Sequence, residues 1–328
     1  MAFNYFDNAS IIGKQSKAGI NNLNSHTMNM TIGAAGWRRT TPGSYSFVVP
    51  QLVSSISVVC VGGGGGGGGS NGVSGPAGSG GGGGTLAYGT IAVSPGETLT
   101  VNVGAGGSAG LASGSGSTNG GGNGGNSEIL RGGTVIIRAF GGSGGQSNIT
   151  SGGVGAGGGT PYFNGATNTG GGQGGDGGSA RNNNAGAGGG GAGGYSGNGG
   201  NGQGANTRQN GSGGGGAGGN GINSTAPGAN SAGGGVGLDG EGTSGTVGTS
   251  ASVNGSVDSY SSVTPTNTVA GMRGGGGGAT EDDTNANGLS GGDGGVRIVW
   301  GLTATGQNRS YPSTNVAQST QISPDNTS

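Results

Sequence analysis

Residues 56–69 have the sequence ISVVCVGGGGGGGG, in which an apolar run passes directly into eight consecutive glycines. Ile56, Val58 and Cys60 recur with period two, which predicts a β-strand with these three side chains on one face. Glycine disfavours helix and loses more backbone freedom on folding than any other residue. An ordered fold therefore needs an interaction other than side-chain packing to hold the glycine run in place.

The same transition from strand to glycine recurs, which predicts a fixed base from which glycine segments emerge. Residues 99–103 lead into Gly104, and residues 135–140 lead into Gly141. Period-two alternation predicts strands at 44–49, 54–61, 86–93, 98–103, 134–140 and 296–300. Residues 94–97, Ser-Pro-Gly-Glu, place Pro and Gly as in a type II turn. They predict a β-hairpin between the strands on either side.

Gly-Gly-x triplets replace strand signals between residues 141 and 295, most clearly in 171–179, GGQGGDGGS. Period three fits neither an α-helix nor a strand, but it fits polyproline II geometry, which has three residues per turn and no internal hydrogen bonds. Because glycine has no Cβ, such chains can lie side by side and satisfy one another's N–H and C=O groups. We therefore expect polyglycine II helices in which Gln173, Asp176 and Ser179 face outward.

Composition excludes several classes of protein. Glycine contributes 97 of 328 residues but proline only 9, and the long glycine runs break the Gly-X-Y period of collagen. The chain has 11 basic and 12 acidic residues, and no basic cluster beyond Arg38 and Arg39, so we expect neither nucleic acid nor membrane as a partner. The one cysteine, Cys60, and the one histidine, His26, offer no recognisable catalytic constellation. We expect a protein that is not an enzyme.

The expected fold is all-β, with almost no α-helix: a small antiparallel β-sandwich base, a bundle of polyglycine II helices and extended terminal arms. The predicted parts are an extended anchoring arm at 1–36, a β-sandwich base with Gly-rich insertions at 37–145, a polyglycine II body at 146–295, a closing strand of the base at 296–301 and a polar C-terminal arm at 302–328.

Large side chains are scarce in the glycine-rich half and are therefore candidates for contact with a partner. The candidates for receptor contact are Tyr162, Phe163, Arg181, Tyr195 and Arg208. For the aromatic residues, the favoured alternative is that they cover the flanks of the glycine bundle or a subunit interface.

Residues 283–288, DTNANG, match the first half of an EF-hand loop, and Asp283, Asn285 and Asn287 are weak candidate ligands for calcium. The glutamate that such a loop needs at its twelfth position is absent, because Gly294 stands there. The alternative is a solvated polar turn. We expect no other cofactor.

Three segments, GSYSFVVP at 43–50, ISVVCV at 56–61 and the region 86–107, resemble the glycine-rich domain of tailed-phage virion proteins, and the resemblance covers about residues 37–301. The ending, VRIVW at 296–300 with RSYPSTN at 309–315, is similar to structural proteins of phages that infect marine cyanobacteria. Some phage tail-fibre adhesins also carry stacked polyglycine II helices whose loops contact an outer-membrane receptor.

The resemblance implies a non-enzymatic structural protein of a tailed-phage virion, in a fibre or surface appendage involved in host attachment. The alternative is a capsid or tail decoration or cement protein with no receptor-binding role. The implied partners are other virion proteins, bound through the N-terminal arm, and a host cell-surface receptor, and the chain would form a homo-oligomer such as a trimer. Its place would be the virion, after synthesis in the host cytoplasm.

Overall fold

The computed structural model describes residues 35–70, 77–112, 120–147, 153–179, 186–204, 232–242, 273–279, 287–301 and 308–313. These described residues contain ten β-strands and no helix. The strands are β1 (Ala35–Arg39), β2 (Gly43–Val48), β3 (Ser55–Val61), β4 (Leu86–Ala92), β5 (Thr98–Val103), β6 (Ser127–Arg131), β7 (Thr134–Ala139), β8 (Tyr162–Phe163), β9 (Thr167–Gly170) and β10 (Gly295–Trp300).

The strands form two antiparallel five-stranded sheets, which confirms the all-β prediction. The first sheet has the order β1-β10-β3-β4-β9 and the second has the order β2-β5-β6-β7-β8. One apolar core lies between them, and Ile56, Val58 and Cys60 face it from β3 as their period-two spacing predicts. From the second sheet, Leu99 and Val101 of β5 face the same core.

The first sheet is buried on both faces at its centre, in strands β3 and β10. Its outer face carries a second cluster, here called the outer cluster, that draws side chains from distant parts of the chain. The members of the outer cluster are Val59, Val61, Leu86, Ala192, Tyr195, Val236, Leu238, Val299 and Tyr311. Strands β3 and β10 are therefore almost entirely buried, whereas β5 alternates buried residues with more exposed ones.

The predicted hairpin across residues 94–97 is wrong, although its turn forms. Gly96 has a φ of 79°, and the Glu97 N–H donates to the Ser94 carbonyl at 3.0 Å. However, β4 pairs with β3 and β9, whereas β5 pairs with β2 and β6. The turn therefore carries the chain from one sheet to the other.

The structure also differs from the predicted division of the chain. Strands β1, β6, β8 and β9 were not predicted, and β1 begins inside the predicted N-terminal arm, of which residues 1–34 lie outside the described residues. Residues 308–313 of the predicted polar arm pack on the first sheet, where Arg309 and Tyr311 are buried. A short strand such as β9 gives little sequence signal because its side chains are polar.

Glycine-rich segments continue from the strand ends and form what we call the glycine lattice. Segments from the predicted base and the predicted body interleave in it, so base and body are not separate stretches of sequence. The described segments of the lattice are 62–70, 77–85, 104–112, 120–126, 140–147, 153–159, 171–179, 186–194, 197–204, 232–236, 273–279 and 287–294.

Segment 62–68 shows how the lattice is bonded. Its N–H groups donate in rotation to three neighbouring segments, 79–85, 122–125 and 289–292, and every third residue returns to the same neighbour at N···O distances of 2.8–3.0 Å. The register shows that all three acceptors run antiparallel to it.

The carbonyl groups of the same segment accept from three further neighbours. The donors lie at 107–110, at 142–145 and at Gly277, with N···O distances of 2.7–2.9 Å. Segment 62–68 is therefore surrounded by six chains, and segment 79–85 is surrounded in the same way. Main-chain hydrogen bonds take the place that side-chain packing has in an ordinary core.

Close approach between the segments explains why these positions are glycine. A Cβ on Gly62, Gly65 or Gly68 would lie against a carbonyl group of segment 140–146, well inside van der Waals contact. The neighbouring atoms are main chain and cannot rotate away. By contrast, a Cβ on Gly159, at the lattice edge, would meet no atom within 4 Å.

We expect Gly65→Ala to destabilise the protein by about 1–3 kcal/mol or more, because its Cβ would overlap the Ser143 carbonyl. Gly159→Ala is the matched control and should be neutral or stabilising by about 0.4–1 kcal/mol, since alanine restricts the unfolded chain. Urea unfolding of the two variants measures both effects. Equal stability of the two variants would contradict the lattice.

Candidate functional site

Six pairs of glycine segments leave the sandwich and end at one common face, which we call the lattice tip. Bonds between residues next to these ends join the pairs to one another, among them Gly110 to Gly67, Ser79 to Gln146, Gly80 to Gly178, Gly188 to Gln203 and Ala279 to Ala187. The described residues that border the six connections are Ser70 and Ala77, Ala112 and Gly120, Ser147 and Gly153, Ser179 and Gly186, Gly204 and Ala232, and Ala279 and Asn287.

Two of the predicted receptor contacts belong to connections at this tip. Arg181 and Arg208 lie outside the described residues, but their connections are bordered by Ser179 and by Gly204. Two exposed apolar side chains, Leu111 and Val154, also lie next to connections at the tip. The tip is therefore where the lattice can offer side chains of varied chemistry to a partner.

The other predicted contacts lie on the sandwich. Tyr162 and Phe163 form β8 at the edge of the second sheet, opposite Arg138 and Ile137 of β7. Tyr162 is 43% exposed, whereas Phe163 packs partly against the core. Only Tyr162 of this pair offers an open aromatic surface.

Tyr195 does not offer a contact surface, because it is 3% exposed within the outer cluster. Its ring stacks on Tyr311 at a centroid distance of 5.9 Å, and its hydroxyl donates to the Gly237 carbonyl at 3.0 Å. The alternative that these aromatics cover a flank of the glycine structure fits this residue. Its partners lie far away in the sequence, so spacing alone could not reveal them.

The calcium prediction lies largely outside the described residues, which include neither Asp283 nor Asn285. The third candidate, Asn287, has its Oδ1 bonded to the Ala112 N–H at 2.7 Å. Across the described ranges, no group of three or more His, Cys, Asp or Glu side chains could hold a metal ion.

Asparagine and aspartate side chains close the edges of the lattice. At an edge, main-chain N–H groups lose the neighbouring segment that would accept from them, as at the edge of a β-sheet. Here a short side chain supplies the acceptor, with N···Oδ1 distances of 2.7–3.0 Å. The residues that act in this way are Asn123, Asn126, Asp176, Asn198, Asn201, Asn287 and Asp293.

The sequence carried a signal for these edge contacts that the prediction did not use. Asn123 and Asn126 are three residues apart, as are Asn198 and Asn201, so successive side chains lie on one side of a threefold chain. The prediction expected Asp176 to face outward, and the structure shows it exposed. It did not assign Asp176 its bond to the Gly157 N–H.

Hydrogen bonds of the buried residue Tyr311 help to hold residues 308–313 against the first sheet. The Tyr311 hydroxyl donates to the Leu238 carbonyl at 2.6 Å, and its N–H donates to Ser57 Oγ at 3.0 Å. The Asp239 carboxylate forms ion pairs with both Arg38 and Arg297. Arg297 Nη1 lies 3.1 Å from Asp239 Oδ1. The two guanidinium groups therefore share one carboxylate beside the outer cluster.

Burial shifts the ionisation of the groups in this region. It is the main reason why the pKa of Tyr311 is raised to about 12, a shift that the charge of Arg297 opposes, that Asp239 supports and that Arg38 opposes. Burial also lowers the pKa of Arg273 to about 10, and the neighbouring charge of Arg38 acts in the same direction. In the core, burial raises the pKa of the Cys60 thiol, which disfavours a reactive thiolate.

We expect loss of the edge contacts to cost stability. Replacing Asn198 and Asn201 together by Ala removes two acceptors, at about 0.5–1.5 kcal/mol each, whereas replacing both by Asp keeps them. Urea unfolding compares the double variants, and light scattering tests whether the open edge of the Ala variant self-associates. If the Ala and Asp variants unfold at the same urea concentration, the side chains do not support the edge.

We expect the free energy of unfolding to fall as pH rises from 10 towards 12. An unfolded tyrosine loses its proton near pH 10, whereas folded Tyr311 holds it to about 12, so its stabilising contribution is complete below pH 10 and is lost above. Below pH 10, Tyr311→Phe should be less stable than the original chain by about 0.5–1.5 kcal/mol. Above pH 10, the free energy of unfolding should fall less for Tyr311→Phe than for the original chain. Parallel slopes for the two chains in pH-dependent urea unfolding would show that Tyr311 does not carry the effect.

Comparison with known proteins places the chain by family. No helix among the described residues is long and apolar enough to cross a bilayer. No curated protein matches the sequence. A family model described as a glycine-rich domain matches residues 39–301, from the last residue of β1 to the residue that follows β10. The match covers more than half of the chain, and the protein therefore belongs to the glycine-rich domain family.

Proposed function

We propose that the protein is a non-enzymatic structural component of a tailed-phage virion, a fibre or surface appendage that presents the lattice tip to the host cell. The observation that carries the proposal is the common end of six glycine segment pairs. The resemblance of residues 43–107 and of the chain ending to phage structural proteins supplies the biological setting.

The bonding of the lattice supports a mechanical role. Each residue of segment 62–68 is tied to neighbours on several sides, so no segment can leave without breaking bonds to many others. Local opening of such a body costs much more than the opening of a loop. A body of this kind can hold its tip at a fixed distance from the sandwich and resists proteolysis, which requires an accessible extended chain.

The closeness of the six pairs supports a binding role at the tip. Neighbouring segments are in hydrogen-bond contact, so the connections that begin at Ser70, Ser147 and Ser179 start close together. Weak contacts presented together on one rigid body reinforce one another through their effective concentration. Repetition of the chain in an oligomer would multiply this effect.

Basic residues are rare in the glycine-rich half of the sequence. Residues 141–295 contain only three basic residues, Arg181, Arg208 and Arg273. Arg273 is half-buried, and burial lowers its pKa. Arg181 and Arg208 follow Ser179 and Gly204 within a few residues in the sequence, so they are the basic residues that we propose for contact with a partner, and arginine is frequent among residues that dominate interfaces.

We expect the purified full-length chain, carrying a fluorescent label, to bind cells of one or more marine cyanobacterial strains. Replacing Arg181 and Arg208 together by Ala should weaken binding by about tenfold or more, since each anchoring arginine contributes about 1 kcal/mol or more. Arg131→Ala is the matched control, because Arg131 is exposed at the opposite end of the protein, where β6 ends. Flow cytometry across a panel of strains measures the binding.

The alternative of a decoration or cement protein predicts a different result. Such a chain would bind phage particles that lack it and would bind no cell, and its arginine variants would behave as the original. Binding to particles without binding to any strain would therefore replace the attachment proposal by the cement alternative. Equal loss of cell binding in the Arg131→Ala control would show that the tip is not the contact.

A further inference from the structure

Strand β2 forms one edge of the second sheet and, among the described residues, pairs with β5 alone. Directly after β2, the Val49 N–H donates to the Glu97 carbonyl at 2.8 Å, so the main-chain groups of Val49 point towards β5. Because these groups alternate in direction from one residue to the next, those of Ser44, Ser46 and Val48 point away from β5. All three residues are exposed. Their N–H and C=O groups therefore face outward along an open edge.

The other sheet edges among the described residues are poor templates for a further strand. Strand β8 has only two residues, and β9 has four, with an irregular register against β4 and Asn168 in the left-handed region at a φ of 48°. Strand β1 carries the charged residues Arg38 and Arg39. By contrast, β2 has six residues, an unbroken register with β5 and neither a charge nor a proline. A regular, neutral edge of this kind favours pairing with another chain.

Apolar side chains accompany the open edge. Val48 is 59% exposed at the end of β2, and Leu52, four residues further along the chain, is 45% exposed. On the core side of the same strand, Tyr45 is half-buried, and its ring meets that of Trp37 at a centroid distance of 6.2 Å. The edge therefore offers apolar and aromatic contacts beside its outward main-chain groups.

We propose that β2 pairs antiparallel with β2 of a second copy of this chain, so that two second sheets join into one. The register centred on Ser46 uses every outward residue, since Ser46 then faces its own counterpart and Ser44 faces Val48 of the other copy. It also sets Tyr45 opposite Phe47 as an aromatic cross-strand pair. Because β2 is neutral, two copies meet without repulsion between like charges, and a charged partner would gain no attraction from this strand.

The geometry of the whole chain permits this pairing. Gly43 pairs with Val103, which leads into lattice segment 104–112, so β2 begins at the lattice end of the sandwich. In an antiparallel pair the two lattices therefore extend in opposite directions, and both lattice tips stay accessible. A two-fold pair of this kind is a dimer, whereas the resemblance to virion proteins implies a trimer. The inference does not rest on the virion assignment, because it concerns only the edge of the sandwich.

Sedimentation velocity on the full-length chain tests the proposal, and we expect a monomer–dimer equilibrium at micromolar concentrations. Ser46→Pro removes an outward N–H from each copy but no bond to β5, and proline is tolerated on an edge strand. It should raise the dissociation constant of the dimer by about tenfold or more. Ser46→Lys should act in the same direction, because two like charges would face each other. Ser46→Thr keeps the N–H and is the matched control, which should dimerise as the original does.

Ser46→Cys tests the register. Opposed residues that exchange main-chain bonds have Cα atoms about 5.5 Å apart, within the range of a disulfide, so mild oxidation should cross-link two copies. Ser44→Cys is the matched control, because it would lie more than about 10 Å from its counterpart and should not cross-link. The natural Cys60 is buried and should not react.

Three results would overturn the proposal. The first is a monomer at every concentration tested. The second is an oligomer that neither Ser46→Pro nor Ser46→Lys weakens while circular dichroism shows both variants folded. The third is cross-linking of Ser44→Cys as efficient as that of Ser46→Cys, measured on non-reducing gels.

Discussion

Lateral hydrogen bonding between main chains that lie too close for a Cβ is the interaction on which the rest of the structure depends. An interior segment such as 62–68 donates to three neighbours and accepts from three others. Ordering a glycine chain is costly, because each residue gives up about 1–2 kcal/mol of backbone entropy. Bonds of about 0.5–1.5 kcal/mol per residue offset that cost only if nearly every N–H and C=O is paired. The lattice must therefore be continuous, and its edges need acceptors such as the side chains of Asn198 and Asn201.

The sandwich sets the register of the lattice, which means the position at which each glycine segment begins. Strands β3, β5 and β7 run without interruption into glycine segments, so sheet pairing fixes where each segment starts. The outer cluster then joins the two parts, since Tyr195 and Leu238 follow lattice segments and pack on Val59 and Val299 of the first sheet. Buried Arg297 and Tyr311 extend this junction to the chain ending. Sandwich and lattice thus form one cooperative body.

Periodicity made much of this architecture predictable. Period two located six of the strands, and the glycine triplets indicated lateral bonding with threefold rotation. The partner of each strand was not predictable in the same way, because Ser94–Glu97 fixes a turn but not the sheet that either flank joins. The buried role of Tyr195 depends on Leu238 and Tyr311, which no local pattern connects to it. The open edge of β2 was missed for the same reason, since spacing locates a strand but not the strands that lie beside it.

The protein has two distinct ends, a tip where the paired glycine segments end and a polar cleft at the far end of the sandwich. Both depend on a lattice that behaves as a solid core. Native-state amide hydrogen exchange, followed by NMR on the full chain, tests that dependence most directly. The N–H groups of 62–68 and 79–85 should be protected to the same degree as those of β3 and β5. Exchange of these glycine amides at rates near those of an unfolded chain, while the strands stay protected, would contradict the account.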